Sequence, residues 1–258
     1  MKTCWPVPDM GANIKRAQIK KAMVMAAGKG TRMQPLTNTM PKPLVPFMGR
    51  PLIDHVLDRL EEAGIEEVIV NSHHFADMLE AHVLKRKHPR IILSDERAEL
   101  LDTGGGAKKA LHLLGDDPVV TFNSDSVWYE GPNMDKGAGQ NIRNLINAFD
   151  ADKMDALLMI ADAATTIGFV GRGDFHMDAA GRLSRRGDAP MAPCMFAGVQ
   201  VIKPALFADG PAGAFSTNLI WDRLIARGTL FGHRMAGTWM HVGTPEDLAK
   251  SERFIRNL

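Results

Sequence analysis

Residues 23–33 read Met23-Val24-Met25-Ala26-Ala27-Gly28-Lys29-Gly30-Thr31-Arg32-Met33, and this stretch decides the fold. Its first half is continuously apolar, which predicts a buried strand over 23–27. Its second half predicts a glycine-rich loop, because Gly28 and Gly30 allow the backbone to approach an anion closely and to point N–H groups at it. We therefore expect a phosphate-binding loop at the carboxyl edge of a sheet.

Two cations accompany this loop. Arg32 follows the second glycine, and Lys42 lies between two prolines in Met40-Pro41-Lys42-Pro43-Leu44. Both groups can neutralise charge on phosphorus during a transfer. Met33 stands where a dinucleotide fingerprint needs its third glycine, and the Gly-Lys-Ser/Thr run of a P-loop is missing from the sequence. A tight turn with solvated charges is the simpler interpretation, but the added arginine and lysine favour a triphosphate site.

The runs 26–33 and 41–44 together resemble the signature of the sugar-1-phosphate nucleotidylyltransferases. These enzymes join a nucleoside triphosphate to a sugar 1-phosphate and release pyrophosphate. The resemblance implies an α/β fold of Rossmann-like nucleotidyltransferase type, in which helices flank a mostly parallel central sheet and a sugar-binding subregion lies toward the C-terminus. We expect one such domain at 21–258, after an N-terminal extension at 1–20 whose prolines disfavour regular structure.

Composition narrows the class of protein. Lys plus Arg total 31 against 30 for Asp plus Glu, so the net charge of +1 argues against a nucleic-acid binder that works by bulk charge. The two cysteines, Cys4 and Cys194, do not make a disulfide framework. They favour a reducing, cytoplasmic setting. The sequence lacks an apolar run long enough to cross a membrane, and we expect a monomer or a small homo-oligomer.

Apolar periodicity predicts alternating strands and helices from residue 22 onward. Strands are predicted at 23–27, 67–71, 90–93, 118–122 and 156–160, and helices between them at 51–60, 76–84, 107–114 and 142–149. Such alternation predicts a parallel sheet with right-handed crossovers. Beyond residue 167 the pattern predicts a hairpin or irregular lid at 168–186, a strand at 196–202, a helix at 215–226 capped by Ser216, and a terminal helix capped by Thr244.

The carboxyl ends of parallel strands meet at one edge, where ligands bind such sheets. The loop at Gly28, Asn71 and Asp125 all fall at predicted strand ends. By the resemblance, the nucleotide would be bound by two sets of residues, Ala26, Ala27, Gly28, Gly30 and Thr31 in the loop and Asp102, Thr103 and Gly104 in a second glycine-rich loop. Asn71 would contact the base or ribose, or only cap a turn.

The resemblance implies catalytic roles for Arg32 and Lys42 and a magnesium ligand at Asp125. A carboxylate at a strand end suits Mg²⁺, although Asp after a strand also caps turns. Members of the family generally carry Asp-Val-Gly-Thr near the C-terminus, whereas this chain has His241-Val242-Gly243-Thr244. Imidazole is a poorer ligand for Mg²⁺ than for transition metals. His241 would therefore ligate a softer ion such as Mn²⁺, contact phosphate or a metal-bound water, or bond only to backbone.

The acceptor sugar would be bound by Asp174, Gly198, Asn218 and Trp221, by the same resemblance. Several segments are most similar to family members that use UTP and N-acetylmuramate 1-phosphate in peptidoglycan recycling. Members that use GTP and mannose 1-phosphate, or another hexose 1-phosphate, are the alternative. His241 also keeps open a different class of protein, a nucleotide-binding regulatory subunit without turnover.

Overall fold

A computed structural model describes residues 18–131, 139–168 and 171–258 of the 258-residue chain. The predicted extension at 1–20 lies outside the described residues except for 18–20. The strands are β1 (Lys21–Met25), β2 (Pro46–Phe47), β3 (Arg50–Pro51), β4 (Glu67–Ser72), β5 (Arg90–Asp95), β6 (Val119–Asn123), β7 (Ser126–Tyr129), β8 (Ala156–Asp162), β9 (Phe175–Met177), β10 (Leu183–Arg185), β11 (Cys194–Ile202), β12 (Leu230–Arg234) and β13 (Thr238–His241). The helices are α1 (Leu52–Glu62), α2 (Ala76–Val83), α3 (Asp102–Lys109), α4 (Leu111–Leu114), α5 (Gln140–Ala148), α6 (Asn218–Arg227) and α7 (Pro245–Arg256).

The central sheet confirms the predicted α/β fold. Strands β12, β8, β11, β6, β1, β4 and β5 lie side by side in that order, and the hairpin of β9 and β10 joins β11 at its N-terminal end. In this row β11 runs antiparallel to both neighbours, whereas the other pairs are parallel. The sheet is therefore mostly parallel, and β1, β4, β5 and β6 end at one edge.

Alternate residues of the central strands face two apolar layers. Val24 of β1 and Val70 of β4 pack into one layer with Leu57 of α1, and Met23 and Ile69 pack into the other. All five side chains are fully buried. Strands that are covered on both faces read as continuous apolar runs, which is why the sequence signal for these strands is strong.

A smaller two-stranded sheet lies beside the central one. Its strands, β7 and β13, pair antiparallel, with His241 opposite Ser126. Val127 and Met240 from these strands pack with Met33 of the phosphate-binding loop in a third apolar cluster. The terminal helix α7 follows β13, and its predicted cap is confirmed, because Thr244 Oγ1 accepts a hydrogen bond from the N–H of Asp247 at 3.1 Å.

Two local predictions are wrong. The segment 102–106, predicted as a loop, is the first part of helix α3. The helix predicted at 215–226 with Ser216 as its N-cap begins only at Asn218, and Thr217 is the N-cap. Ser216 Oγ still accepts a bond from the N–H of Asn218 at 3.3 Å. The hairpin predicted at 168–186 is present as β9 and β10, although 169–170 lie outside the described residues.

Each helix in the described part of the chain is too short or too polar to cross a bilayer.

Candidate active site

A cavity of about 570 Å³ opens at the carboxyl edge of the sheet, beyond the ends of β1, β4 and β6. It brings together most of the residues predicted for nucleotide, metal and catalysis. Its walls include Ala26, Ala27, Gly28, Gly30, Thr31, Arg32, Lys42, Asn71, Asp102, Thr103 and Asp125. A cavity of this size and position is typical of a small-molecule site in an α/β protein.

Asn71 holds the start of the phosphate-binding loop. Its Oδ1 accepts hydrogen bonds from the N–H of Ala26 at 2.6 Å and of Ala27 at 3.2 Å. Its Nδ2 donates to Oε1 of Glu96 at 2.7 Å. Asn71 and Glu96 are both buried, so these bonds are shielded from water and replace the solvation that the polar groups have lost. The geometry therefore favours a role for Asn71 in positioning the loop.

Gly30 connects the loop to the lysine segment. Its φ of +63° lies in the left-handed region that glycine adopts without strain. A Cβ on Gly30 would stand 2.8 Å from Cβ of Lys42 and 3.1 Å from Cγ2 of Thr37, too close for either. Thr37 Oγ1 also donates to the carbonyl oxygen of Gly30 at 2.9 Å. The lysine stem thus packs directly over the glycine. Gly28, by contrast, has no atom within 4 Å of the place where a side chain would begin.

The two predicted cations differ in their surroundings. Lys42 Nζ lies 2.5 Å from Oδ2 of Asp125, and its side chain is only 13% exposed. Arg32 lies in a short 3₁₀ turn over Thr31–Met33 and is exposed. Among the described residues, its guanidinium has neither a hydrogen bond nor an ion pair. Lys42 is therefore held beside the carboxylate of Asp125. The charge of Arg32 is not offset by an ion pair within the described residues, so it is available to a ligand.

His241 lies beside the cavity and outside its walls. It ends β13 opposite Ser126, the residue that follows Asp125. Burial lowers the pKa of His241 below its usual value, and Arg32 and Lys42 lower it further, while Asp125 and Asp247 act in the opposite direction. The pairing opposite Ser126 is what brings His241 next to Asp125 in the fold. The neutral imidazole is the favoured form at neutral pH.

Helix α3 lies between the central strands and the C-terminal segment around Phe215. The N–H groups of Gly104 and Gly105 donate to the carbonyl oxygen of Phe215 at 2.8 and 3.1 Å. A Cβ on Gly104 would lie 2.4 Å from the Phe215 ring, and one on Gly106 would lie 2.7 Å from Oε1 of Glu96. Side chains would push the helix away, so the glycines allow close packing. At its start Asp102 has a φ of +59°, which is uncommon for a residue other than glycine.

A second cavity of about 290 Å³ adjoins the first. Four residues line both cavities: Met25, Asp102, Thr103 and Asn123. The predicted sugar-binding residues Asp174, Asn218 and Trp221 lie in its walls. Trp221 Nε1 donates to Gln200 Oε1 at 2.8 Å, and Asp174 Oδ2 accepts from the N–H of Phe196 at 2.9 Å. These bonds hold the side chains of the wall in place. Because the two cavities share four lining residues, they form two adjoining chambers of one site.

Three predicted residues lie outside the walls of both cavities: Gly104, Gly198 and His241. Gly198 of β11 has a φ of +83°, and a Cβ there would overlap Oγ of Ser126, so it serves close packing. Sequence reasoning missed Glu96 and Arg185, which line the first and second cavities. Glu96 could have been found, because it directly follows β5 and thus obeys the same strand-end rule as Asn71 and Asp125.

The segment that holds most of these residues is shared with known proteins. Residues 21–169, which hold the phosphate-binding loop, Lys42, Asn71 and Asp125, match the Nucleotidyl transferase family. The chain belongs to this family.

Relatives of this nucleotidyl transferase include N-acetylmuramate alpha-1-phosphate uridylyltransferase of Caulobacter vibrioides. The two are 46% identical over 231 residues, which cover 88% of this chain and 93% of the relative. Mannose-1-phosphate guanylyltransferase of Mycobacterium tuberculosis is 25% identical over 245 residues, covering 89% of this chain and 62% of that protein. A crystal structure of UDP-glucose pyrophosphorylase complexed with UDP-glucose shares the fold, with a TM-score of 0.75 at 18% identity and coverage of 93% and 99%.

Proposed function

We propose that this nucleotidyl transferase moves a uridylyl group from UTP to N-acetylmuramate 1-phosphate, giving a UDP-sugar and pyrophosphate. The observation that carries the proposal is the pair of adjoining cavities. Arg32, Lys42 and Asp125 line one of them, and the other has a polar wall that includes Asp174 and Asn218. The choice of substrates is supported by the 46% identity to the Caulobacter enzyme over nearly its whole length. Such a reaction belongs to peptidoglycan recycling, in the cytoplasm where UTP is available.

The chemistry is an in-line attack by an oxygen of the sugar phosphate on the α-phosphorus of UTP. A phosphate monoester has a second pKa of about 6, so the attacking oxygen is already ionised at neutral pH and needs no general base. The protein therefore acts by orientation and by stabilising charge. Arg32, exposed in the loop, would bind the β- and γ-phosphates and the departing pyrophosphate. Lys42 would bridge the α-phosphate and the acceptor phosphate.

The loop beyond Ala27 would present backbone donors to the same phosphates. The N–H groups of Ala26 and Ala27 are bonded to Oδ1 of Asn71, which holds the start of the loop in place before the nucleotide enters. Gly28 leaves open space above its backbone, which gives a phosphate room to approach. Preorganised donors of this kind need no rearrangement when charge develops in the transition state.

A divalent metal fits the donor set of the first cavity. Asp125 is about one-third exposed there and uses only Oδ2 for Lys42 among the described residues. Within the described ranges, His, Cys, Asp and Glu side chains do not form a cluster of three that could hold a metal ion by themselves. One or two protein ligands, with phosphate oxygens and water supplying the rest, is the arrangement that Mg²⁺ prefers. Bound metal would neutralise charge on the phosphates. Asp125 would hold it, with His241 as a second ligand better suited to Mn²⁺.

A substrate panel tests this function. The purified protein is incubated with each of four nucleoside triphosphates and with N-acetylmuramate, N-acetylglucosamine, glucose and mannose 1-phosphates, in Mg²⁺ and in Mn²⁺. Pyrophosphate release gives the rate, and mass spectrometry identifies the product. UTP with N-acetylmuramate 1-phosphate should give the highest kcat/KM. Preference for GTP with mannose 1-phosphate would refute the substrate assignment. Nucleotide binding without product formation, with either Mg²⁺ or Mn²⁺ present, would instead support a regulatory subunit. That alternative is motivated by His241, which stands where the family generally has aspartate.

A further inference from the structure

Arg185, the last residue of β10, brings a positive charge into the wall of the second cavity. Of the described residues that line this cavity, it is the single basic one, and the acidic ones are Asp102 and Asp174. Without Arg185 the wall would carry only negative charge and would repel an anionic substituent. The arginine is therefore the feature that makes the chamber compatible with an anion.

The guanidinium of Arg185 is held in a fixed orientation. Its central carbon lies 4.9 Å from the ring centroid of Phe175 and 5.7 Å from that of Trp221. Nε donates to Oδ1 of Asp222 at 2.7 Å, and Nη2 donates to the carbonyl oxygen of Asn218 at 3.2 Å. Stacking on aromatic faces and bonding along one edge limit its motion.

Part of this guanidinium remains available to a ligand. Within the described residues, Nη1 has no hydrogen-bond partner, and the side chain is 33% exposed. The ion pair with Asp222, whose side chain is 59% exposed, is screened by solvent, so it helps to orient Arg185 but only partly offsets its positive charge. A planar guanidinium matches the geometry of a carboxylate. Neutral sugar hydroxyls need no such cation, since Asp174 in the same wall is exposed and has Oδ1 without a hydrogen bond among the described residues.

We propose that Arg185 is a specificity-determining residue that selects acceptor sugar 1-phosphates bearing a carboxylate substituent. The inference rests on the proposed function, because N-acetylmuramate is N-acetylglucosamine with a lactyl ether that ends in a carboxylate. The phosphate of the acceptor lies toward Lys42 in the first cavity, and the lactyl carboxylate reaches the guanidinium of Arg185 in the second.

The test compares two acceptors that differ only in the lactyl group. Arg185→Gln keeps a polar side chain but removes the charge, and Arg185→Lys restores charge without the planar fork. Arg182→Gln is the matched control, because Arg182 lies in the same hairpin with its guanidinium over Phe231, outside the cavity walls. The measured quantities are kcat/KM for N-acetylmuramate and N-acetylglucosamine 1-phosphates, and calorimetric affinity for the two UDP-sugars.

Arg185→Gln should lower kcat/KM for the muramate acceptor about 10- to 100-fold, mainly through KM, as expected for one lost charge-assisted hydrogen bond. The loss for the glucosamine acceptor should be at least ten times smaller, Arg185→Lys should recover part of the preference, and Arg182→Gln should keep it. Equal losses for both acceptors and both UDP-sugars would show that Arg185 only supports packing, and would overturn the proposal. Failure of the wild-type protein to use the muramate acceptor at all is a different result, which would refute the proposed function.

Discussion

Replacing Gly30 by alanine should disable the enzyme through Lys42, although the substitution adds a single methyl group. The new Cβ would stand 2.8 Å from Cβ of Lys42 and 3.1 Å from Cγ2 of Thr37. The contact with Lys42 cannot be relieved at the end of a flexible side chain, because its Cβ is attached to the backbone, whereas the Thr37 methyl needs to give only slightly. The lysine stem must therefore move, and its ammonium moves with it away from Asp125. A catalytic group misplaced by about 1 Å costs on the order of 10²-fold in rate.

The same substitution also strains the backbone. A left-handed φ of +63° costs a residue with a Cβ about 1–2 kcal/mol relative to glycine. For a domain of this size, 1 kcal/mol shifts Tm by about 2–4 °C, so the strain alone should lower Tm by roughly 2–8 °C. Strain and displacement therefore have separate readouts, stability for the first and turnover for the second.

Gly49→Ala is the matched control. Gly49 has a φ of +78° in the turn between β2 and β3, and a Cβ there would meet no atom within 4 Å. It should lower Tm by a similar amount and leave pyrophosphate release unchanged. Gly30→Ala should lower Tm and reduce kcat about 100-fold. If Gly30→Ala keeps kcat within threefold of the wild type, or if Gly49→Ala loses as much turnover, then Lys42 is not positioned by contact with Gly30.

Four other substitutions test the site. Arg32→Ala and Lys42→Ala should each reduce kcat by about 10²–10³, like a lost oxyanion donor; near-normal pyrophosphate release in both would contradict their catalytic assignment. Asn71→Ala should raise KM for the nucleotide and lower the free energy of unfolding by about 1–3 kcal/mol, because it leaves Oε1 of buried Glu96 without its donor; an unchanged KM would argue against loop positioning. His241→Asp should shift the metal preference from Mn²⁺ toward Mg²⁺ by about tenfold, measured by Mn²⁺ paramagnetic resonance and Mg²⁺ competition; an unchanged ratio would exclude His241 as a ligand.

The parallel half of the sheet was predictable from the sequence. Strands β1, β4, β6 and β8 are mostly buried and mainly apolar, and helix α1 shows the expected periodicity with Gly64 just beyond its end. Because the carboxyl ends of parallel strands meet at one edge of a sheet, the sequence alone predicts that the loop, Asn71 and Asp125 lie together there.

The start of α3 was not predictable, because tertiary packing overrides local preference there. Each glycine in a helix costs about 1 kcal/mol relative to alanine, so three in succession read as a loop. Contact with the ring of Phe215 and with Glu96 demands residues without side chains at these positions. Those partners come from distant parts of the chain, and no local pattern reveals them.

The second cavity was predicted only in part for a similar reason. Asp174, Asn218 and Trp221 were identified by resemblance, but Arg185 and Gln200 reach the cavity through the antiparallel placement of β11 and the β9–β10 hairpin. Alternation of strands and helices does not predict where an antiparallel strand enters a sheet. Likewise, β7 is only four residues long, and its pairing with β13 joins residues more than a hundred positions apart.

The position of helix α3 limits how the substrates of this enzyme can change. Asp102 and Thr103 belong to both chambers, and Thr103 Oγ1 accepts a bond from the N–H of Thr217, where the segment that carries Asn218 begins. Under the proposed function, helix α3 therefore supports both the nucleotide cavity and the cavity proposed for the sugar. Substitutions at this helix that select a new nucleobase should then disturb the second cavity as well, so we expect new substrate pairs to arise together rather than one partner at a time.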